Sequence, residues 1–269
     1  MTDQNDDRWA LPGIEEALQW LDFRNQQGIS VALDALGEYA QTPVQAADNL
    51  ASYRNCLLAL PPANRKAAVA IKLSALGLNF DTALAEKNLH NLLELAQNND
   101  NLIEIDIEGT PTVEATVAMA CQFSALGFNL VLALQAYLDR TDADISRARA
   151  AGLKIRLVKG AYRGDTDDFA EIQSRFFSCF NTLLATGRPF DVGTHDPLLI
   201  DQMKTAVTNR SQVCFGFLKG LADQTKLDLA QSGFGVSEYV PYGTNRKAYV
   251  ARRQLYLKNL EKAGLIPAP

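Results

Sequence analysis

Short apolar runs recur along this chain, and many of them end in one charged or hydrogen-bonding residue. Ala68-Val69-Ala70-Ile71 ends in Lys72, Leu102-Ile103-Glu104-Ile105 in Asp106, and Leu130-Val131-Leu132-Ala133-Leu134 in Gln135. Ile155-Arg156-Leu157-Val158 ends in Lys159, then Gly160-Ala161-Tyr162. Phe190-Asp191-Val192-Gly193 ends in Thr194-His195, and Val236-Ser237-Glu238 in Tyr239. A helical stretch follows each run. Eight strand candidates emerge: 30–34, 67–72, 102–106, 129–135, 153–159, 189–194, 212–217 and 235–239. Strands alternating with helices at intervals of about 30 residues favour parallel βαβ units, and short apolar runs suit strands buried on both faces. The fold class expected is α/β, a (β/α)8 TIM-like barrel, for which 269 residues is a suitable length. In that fold the C-terminal ends of all strands meet at one mouth, where catalytic groups sit, so residues far apart in sequence should converge there.

The punctuation between runs supports this reading. Residues 1–12 read as a polar N-terminal arm, an extra helix is expected from 14 to about 27, and residues 13–269 form one catalytic domain. Thr42-Pro43-Val44-Gln45 offers a threonine N-cap, proline at the first helical position and glutamine at the third. Thr110-Pro111 repeats the cap and proline. Asp142 and Asp144 place negative charge at a helix start, and Gly152 fits a helix exit. An open doubly wound sheet is the alternative. It usually needs fewer strands, and a nucleotide-binding one should carry a glycine fingerprint, whereas neither G-x-G-x-x-G nor a Walker A motif occurs.

Composition narrows the function classes. Hydrophobic residues at 47% suffice for a core. A net charge of −5 argues against a nucleic-acid surface, which needs a basic stripe. No apolar run approaches the roughly 20 residues that span a bilayer, and the acidic N-terminus lacks a signal-peptide core, so a cytoplasmic protein is expected. Four scattered cysteines match no zinc pattern and read as buried small residues. His90 falls in a helical run. His195, at a strand end, is the one candidate histidine, too few for a His-rich metal site, and no metal is expected.

The strand ends hold the chemistry. Two adjacent guanidiniums, Arg252 and Arg253, suit a carboxylate or phosphate; with Lys247 and Lys258 nearby they also read as a solvated basic turn. Lys72 and Asp106 could serve a site or a buried ion-pair network that only fixes the barrel. Glu104 and Glu108 alternate with Asp106 and could share its face. Tyr162 and Tyr239 supply apolar faces with hydroxyl tips. On these residues alone the chain is a barrel enzyme with a pocket for a small anion, its reaction type open.

Several segments together resemble the proline dehydrogenase family, of the monofunctional bacterial type. They are Leu33-Asp34-Ala35-Leu36-Gly37-Glu38, Ile71-Lys72-Leu73-Ser74-Ala75-Leu76-Gly77, Ile105-Asp106-Ile107-Glu108, and Leu134-Gln135-Ala136-Tyr137-Leu138-Asp139-Arg140-Thr141. Arg156-Leu157-Val158-Lys159-Gly160-Ala161-Tyr162, Thr194-His195-Asp196, and Tyr239-Val240-Pro241-Tyr242-Gly243 with Tyr249 and Arg252-Arg253 follow in family order. The resemblance implies a distorted barrel that uses FAD to oxidise L-proline to Δ1-pyrroline-5-carboxylate, with hydride transfer to the flavin and a quinone as electron acceptor. Quinone use implies transient contact with a membrane surface, a peripheral position at the inner membrane. Carried over by motif, Arg252, Arg253 and Lys72 would hold the substrate carboxylate. Asp106 would organise the pocket, Tyr239 and Tyr249 would pack on the substrate, and Glu38 would pair with Arg252 as a gate. Gln135, Arg156, Val158, Lys159, Gly160, Ala161, Tyr162, Thr194 and His195 would contact FAD.

The chain also departs from the family pattern. Tyr256 stands where glutamate is common, Phe217 where glutamine is, and Lys219 falls near an expected apolar position, where it would alter the charge of the pocket. Arg163-Gly164-Asp165 replaces the residues usual near the cofactor. These departures keep two alternatives open: a related flavoenzyme acting on another cyclic or N-substituted amino acid, such as hydroxyproline or pipecolate, and a non-catalytic barrel that binds an amino acid.

Overall fold

The computed structural model describes residues 7–61, 66–244 and 246–262, with only the backbone described at 248, 256 and 259–262. Eight parallel strands close into a barrel in sequence order. They are β1 (Ser30–Ala35), β2 (Ala67–Lys72), β3 (Leu102–Asp106), β4 (Leu130–Gln135), β5 (Lys154–Val158), β6 (Phe190–Gly193), β7 (Val213–Leu218) and β8 (Gly235–Tyr242). Each expected strand is present to within a few residues. Helix α1 (Ile14–Gln26) precedes β1, and α2 (Pro43–Ala59), α3 (Thr82–Asn98), α4 (Thr110–Ala125), α5 (Thr141–Ala150), α6 (Phe169–Ala185), α7 (Pro197–Ala206), α8 (Asp223–Gln231) and α9 (Lys247–Lys262) follow the strands in turn.

The helix signals have physical counterparts. Thr42 caps α2 by accepting from Gln45 N, and the Gln45 side chain accepts from Gln41 N at 2.7 Å. Gly152 adopts φ +84° just past α5, where the left-handed conformation favours glycine. Thr110 is a correction: the N-cap of α4 is Gly109, and Thr110 is the first helical residue. The hydroxyl that turns back belongs to Thr112, which donates to Gly109 O at 3.0 Å. His90 lies in α3 and packs against the Phe123 and Phe128 rings, which also touch each other.

Two-residue periodicity divides the strands. Val31, Leu33, Val69, Ile71, Ile103, Ile105, Leu132, Leu134, Ile155 and Leu157 join the main core. The alternate residues point into the barrel, and there the chain is unusually charged. Arg156 grips the Glu104 carboxylate with both terminal nitrogens, at 2.6 and 2.8 Å, and lies 3.6 Å from Asp191, which pairs with Lys154 at 2.8 Å. Ala32, Ala68 and Ala70 leave room for these long side chains. Two acids face two bases, so the layer is neutral, as burial of charge demands.

The arrangement of helices departs from an ordinary barrel in one respect. Helix α1 packs beside β1 and β8 and covers the seam where the barrel closes. Its Arg24 pairs with the fully buried Glu238 of β8 and with Asp223 of α8, and Lys226 reaches Glu238 at 3.3 Å. The final helix, α9, is thereby free to lie over the mouth. Residues 1–6 of the expected polar arm lie outside the described residues, while Trp9, Ala10 and Leu11 are buried.

Candidate active site

Helix α9 brings Tyr249, Arg252 and Arg253 to the mouth. Arg252 Nη1 meets Glu38 Oε1 at 2.7 Å, the pair expected as a gate. Adjacent helical residues diverge by about 100°, and the two arginines do different things: Arg253 stacks over the Tyr249 ring at 5.2 Å, and its charge is felt at His195. The Tyr249 hydroxyl is buried with no hydrogen-bond partner among the described residues. Glu38 is held from behind. Tyr39 takes a left-handed φ of +56°, a strained conformation for a tyrosine, and its N donates to Ser74 Oγ at 2.9 Å. Ser74 is fixed in turn by the buried Glu108 carboxylate, to which its Oγ and N donate at 2.6 and 3.0 Å.

Beneath α9 the ends of four strands form one cluster. Lys72 of β2 and Asp106 of β3 are paired in register. Lys72 Nζ lies 3.0 Å from Asp34 Oδ2, 3.1 Å from Asp106 Oδ2 and 3.0 Å from the Tyr239 hydroxyl, which donates to Asp106 Oδ2 at 2.6 Å. An ammonium has three N–H donors; two make hydrogen bonds, to Asp34 and the Tyr239 hydroxyl, and Asp106 lies within ion-pair distance. Burial raises the Asp34 carboxyl above its ordinary range against the opposing pull of Lys72, and the surrounding acids hold the Lys72 ammonium charged despite its burial.

The residues expected around a cofactor gather at the ends of β4, β5 and β6. Tyr137 organises the first group. Its hydroxyl donates to Gln135 Oε1 at 2.5 Å and accepts from Tyr162 N at 2.8 Å. Its ring lies so close to Gly160 and Gly164 that an added Cβ would fall 1.7 and 2.3 Å from ring carbons. Gly160 also has φ +133°. The β5–α6 loop therefore wraps the ring, and Asp165 latches it by accepting from Asp139 N at 2.8 Å. Gln135 Nε2 donates to Glu108 O at 2.9 Å, joining this wall to the gate. Val158 accepts through its carbonyl from Ala136 N at 2.8 Å, and Ala161 is exposed on the loop. Arg156 projects from the interior layer, and its buried Nε has no hydrogen-bond partner among the described residues.

The second group centres on Asp196, which caps α7 by accepting from Leu198 N and Leu199 N. Its other oxygen takes Lys159 Nζ at 2.7 Å and Gln173 Nε2 at 2.5 Å, while Asp196 N donates to Thr194 Oγ1 at 3.1 Å. Lys159 also sits over the Phe169 ring at 4.2 Å. His195 Nε2 accepts from Leu218 N at 3.0 Å, which assigns its proton to Nδ1. Burial, reinforced by Lys226, Arg253 and Lys159, pushes its pKa down to about 3, so the ring is neutral.

The structure thus brings Lys72, Asp106, Tyr239, Tyr249, Arg252, Arg253 and Glu38 to the mouth, with Gln135, Lys159, Gly160, Tyr162, Thr194 and His195 on the adjoining wall and Arg156 in the charged layer of the barrel interior. Sequence reasoning missed Asp34, Ser74, Tyr137 and Asp196 as organising residues, although each stood inside a quoted segment. Lys219 is corrected: its Nζ donates to the backbone carbonyls of Asp7 and Arg8 at 2.6 and 3.2 Å and stacks on Trp20, so it adds no charge to the pocket. Phe217 is buried with its ring against His195. The Tyr256 side chain lies outside the described residues. Among the described residues no helix is long and apolar enough to cross a membrane, and no group of His, Cys, Asp or Glu could hold a metal ion.

Comparison with known proteins gives the same direction. The sequence model of the family described as proline dehydrogenase matches residues 17–195. The chain is 30% identical to proline dehydrogenase 1 of Bacillus subtilis (strain 168) over 248 residues, covering 89% of this chain and 82% of that protein. It is 29% identical to the proline dehydrogenase of Deinococcus radiodurans over 259 residues, 91% and 83% of the two chains. Among solved structures, proline utilization A from Bdellovibrio bacteriovorus inactivated by N-propargylglycine shares the fold at a TM-score of 0.81 and 18% identity, over 93% of this chain and 32% of that one. A proline utilization A mutant from Bradyrhizobium japonicum superposes at a TM-score of 0.79 with 26% identity, over 92% and 30%. The chain spans about a third of the length of those larger proteins. With the barrel, its mouth and these matches in agreement, the chain belongs to the proline dehydrogenase family.

Proposed function

We propose that this protein oxidises L-proline to Δ1-pyrroline-5-carboxylate with FAD as hydride acceptor and passes the electrons to a quinone. One observation carries the reading: α9 places two arginines and a tyrosine directly over an acidic cluster at the barrel mouth. A free amino acid is a zwitterion, and this site has matching polarity. Arg252 and Arg253 supply cationic forks for the carboxylate. Asp34 and Asp106 outweigh Lys72 by one charge and suit the ring ammonium. Tyr239 and Tyr249 provide the flanking apolar faces. Lys72, hydrogen-bonded to Asp34 and Tyr239, holds these neighbours in place and adds its charge to the grip on the carboxylate.

The residues of the adjoining wall fit a flavin. Gln135 and His195, at the ends of β4 and β6, can line a heteroaromatic ring system, with Arg156 in the charged layer of the barrel interior, and Lys159 and the N-terminus of α7 offer positive potential toward an anionic tail. When bound, FAD would supply the acceptor for the hydride that leaves the ring Cδ. The ring ammonium gives one proton to solvent, and the freed lone pair forms the C=N bond as the hydride leaves, so the protonated imine is the product. The protein's share is to hold the ring in register, exclude water by the Glu38–Arg252 gate, and stabilise charge on the reduced cofactor. A quinone acceptor entails transient contact with a membrane surface.

The test is the visible spectrum of the purified protein before and after excess L-proline without oxygen. Flavin absorbance that bleaches on addition supports the reading. Flavin that stays oxidised refutes the substrate, and a panel with hydroxyproline and pipecolate then identifies another. Absence of flavin after reconstitution with FAD refutes the enzyme and leaves an amino-acid-binding barrel. With Lys219 turned away from the pocket, the charge change that argued for a different substrate is gone.

A further inference from the structure

Residues 7–11 precede the stretch matched by the family and play no part in the proposed chemistry, yet they run across the mouth of the barrel beside α9. We propose that they form a strap that belongs to the active site, and that Trp9 is a positioning residue which holds α9, and with it Tyr249, Arg252 and Arg253, in place. The functional part of this inference rests on the reading of α9 as the substrate-gripping helix.

A helix in an ordinary barrel is held by its strand neighbours. Helix α9 forgoes that support, because α1 occupies the place beside β8 and β1. Among the described residues its apolar contacts form a small cluster separate from the main core. Trp9 and Ala10 of the strap meet Tyr249 and Val250 of α9 there, together with Leu221, and all five are buried. Trp9 is the largest side chain in the cluster and stands directly in the group that supports Tyr249. Tryptophan buries more apolar area than any other residue that could stand there, so much of the attachment of α9 depends on it.

The strap is itself fastened on three sides. Lys219, after β7, donates to Asp7 O and Arg8 O, and Arg8 Nε donates to Gly220 O at 3.1 Å. Gly220 has φ +79°, and a Cβ there would fall 2.5 Å from Arg8 O, so the two backbones approach at a distance that only glycine permits. At the end of β8, Leu11 N donates to Pro241 O at 2.8 Å and Gly243 N to Leu11 O at 3.0 Å. Arg246, at the start of α9, donates to Ala10 O at 2.8 Å and pairs with the Asp7 carboxylate. These fastenings join the β7–α8 loop, the β8–α9 loop and α9 itself. A segment with no role would fray; in this one Trp9, Ala10 and Leu11 are buried and nearly every residue is bonded.

The experiment is limited trypsinolysis of the FAD-loaded full-length protein, with cleavage sites mapped by mass spectrometry, alongside steady-state kinetics. Helix α9 carries its own cleavage sites at Lys247, Arg252, Arg253 and Lys258. In Trp9→Ala, cleavage within α9 should accelerate by about tenfold or more while the barrel helices are cut at the wild-type rate. The KM for L-proline should rise by a similar factor with kcat little changed, because a helix that is closed for a smaller fraction of the time lowers apparent affinity by that fraction. Trp9→Phe should restore both. If Trp9→Ala does not fold, Gly220→Ala lifts the strap without touching the cluster and should show the same selective cleavage. Wild-type protection of α9 in a folded Trp9→Ala or Gly220→Ala protein would overturn the proposal. The cleavage readout needs no substrate, so a protein that ignores proline still decides the question of the strap.

Discussion

Replacing Lys72 by methionine isolates the cluster at the mouth. The side chain is 11% exposed and that of Asp34 1%, and the two charges lie 3.0 Å apart. At an effective dielectric of about 20 the attraction is roughly 5 kcal/mol before desolvation is subtracted. Methionine fills the same volume but leaves the Asp34 carboxylate buried, with its Oδ1 already lacking a hydrogen-bond partner among the described residues. Removing one member of a buried pair in this way costs about 3–5 kcal/mol. Removing both charges together, in Lys72→Met with Asp34→Asn, should recover about half of that loss, because no uncompensated charge then remains. The assay is equilibrium urea unfolding of the three variants, followed by circular dichroism and fluorescence so that coincident transitions justify a free energy. The deficit of Lys72→Met should also shrink as pH falls, since an Asp34 stripped of its cation binds a proton in the folded state more readily than in the unfolded one, and acid then favours folding of that variant. A loss below about 1 kcal/mol in Lys72→Met, or a double variant as unstable as the sum of the singles, would refute the argument.

Three further outcomes are expected. Arg252→Met should weaken L-proline binding by about ten- to a hundredfold, the worth of a charge-assisted contact of roughly 1.5–3 kcal/mol, with the melting temperature preserved; isothermal titration that finds unchanged affinity would reduce Arg252 to a surface charge. Gly160→Ala drives a methyl into the Tyr137 ring at a backbone angle that disfavours alanine, and should cost about 2–4 kcal/mol and most of the bound flavin; retention of full flavin absorbance would show that the loop does not depend on that ring. His195 binds a proton near pH 6.5 when unfolded but only near pH 3 when folded. The protein should therefore lose stability between those values, by at most about 1.4 kcal/mol per pH unit. His195→Gln keeps an acceptor for Leu218 N and should flatten that part of the profile; identical pH dependence in thermal melts would contradict the assignment.

The barrel was legible because its signals are local. Strand runs of period two, the Thr42-Pro43 start and the Gly152 exit are each written within a few residues. Lys72 and Asp106 were legible as a pair because both end strands. Asp34 was harder to see: it lies inside β1 and reads as part of an apolar run, and its partner is 38 residues away. Lys219 was misplaced for a related reason. A strand end fixes where a side chain starts but not where it goes, and its acceptors come from residues more than 210 positions earlier. The Tyr137 cradle is invisible without coordinates, since a glycine gives no sign of which ring lies against it. The charged interior was missed because Glu104, Arg156 and Asp191 sit one to a strand, and neutrality appears only when the strands are set side by side.

The exchange of α1 for α9 at the seam separates two duties that most enzymes assign to the same atoms. Barrel closure is secured by α1, whose Arg24 meets Glu238 of β8 and Asp223 of α8, while α9 is left to the mouth. If α9 holds the substrate as proposed, mutations there retune which molecule is accepted without threatening the integrity of the scaffold. A lineage built on this plan can explore new specificities by drift in one helix, and a laboratory library confined to α9 should retain folded protein far more often than one spread over the strand ends.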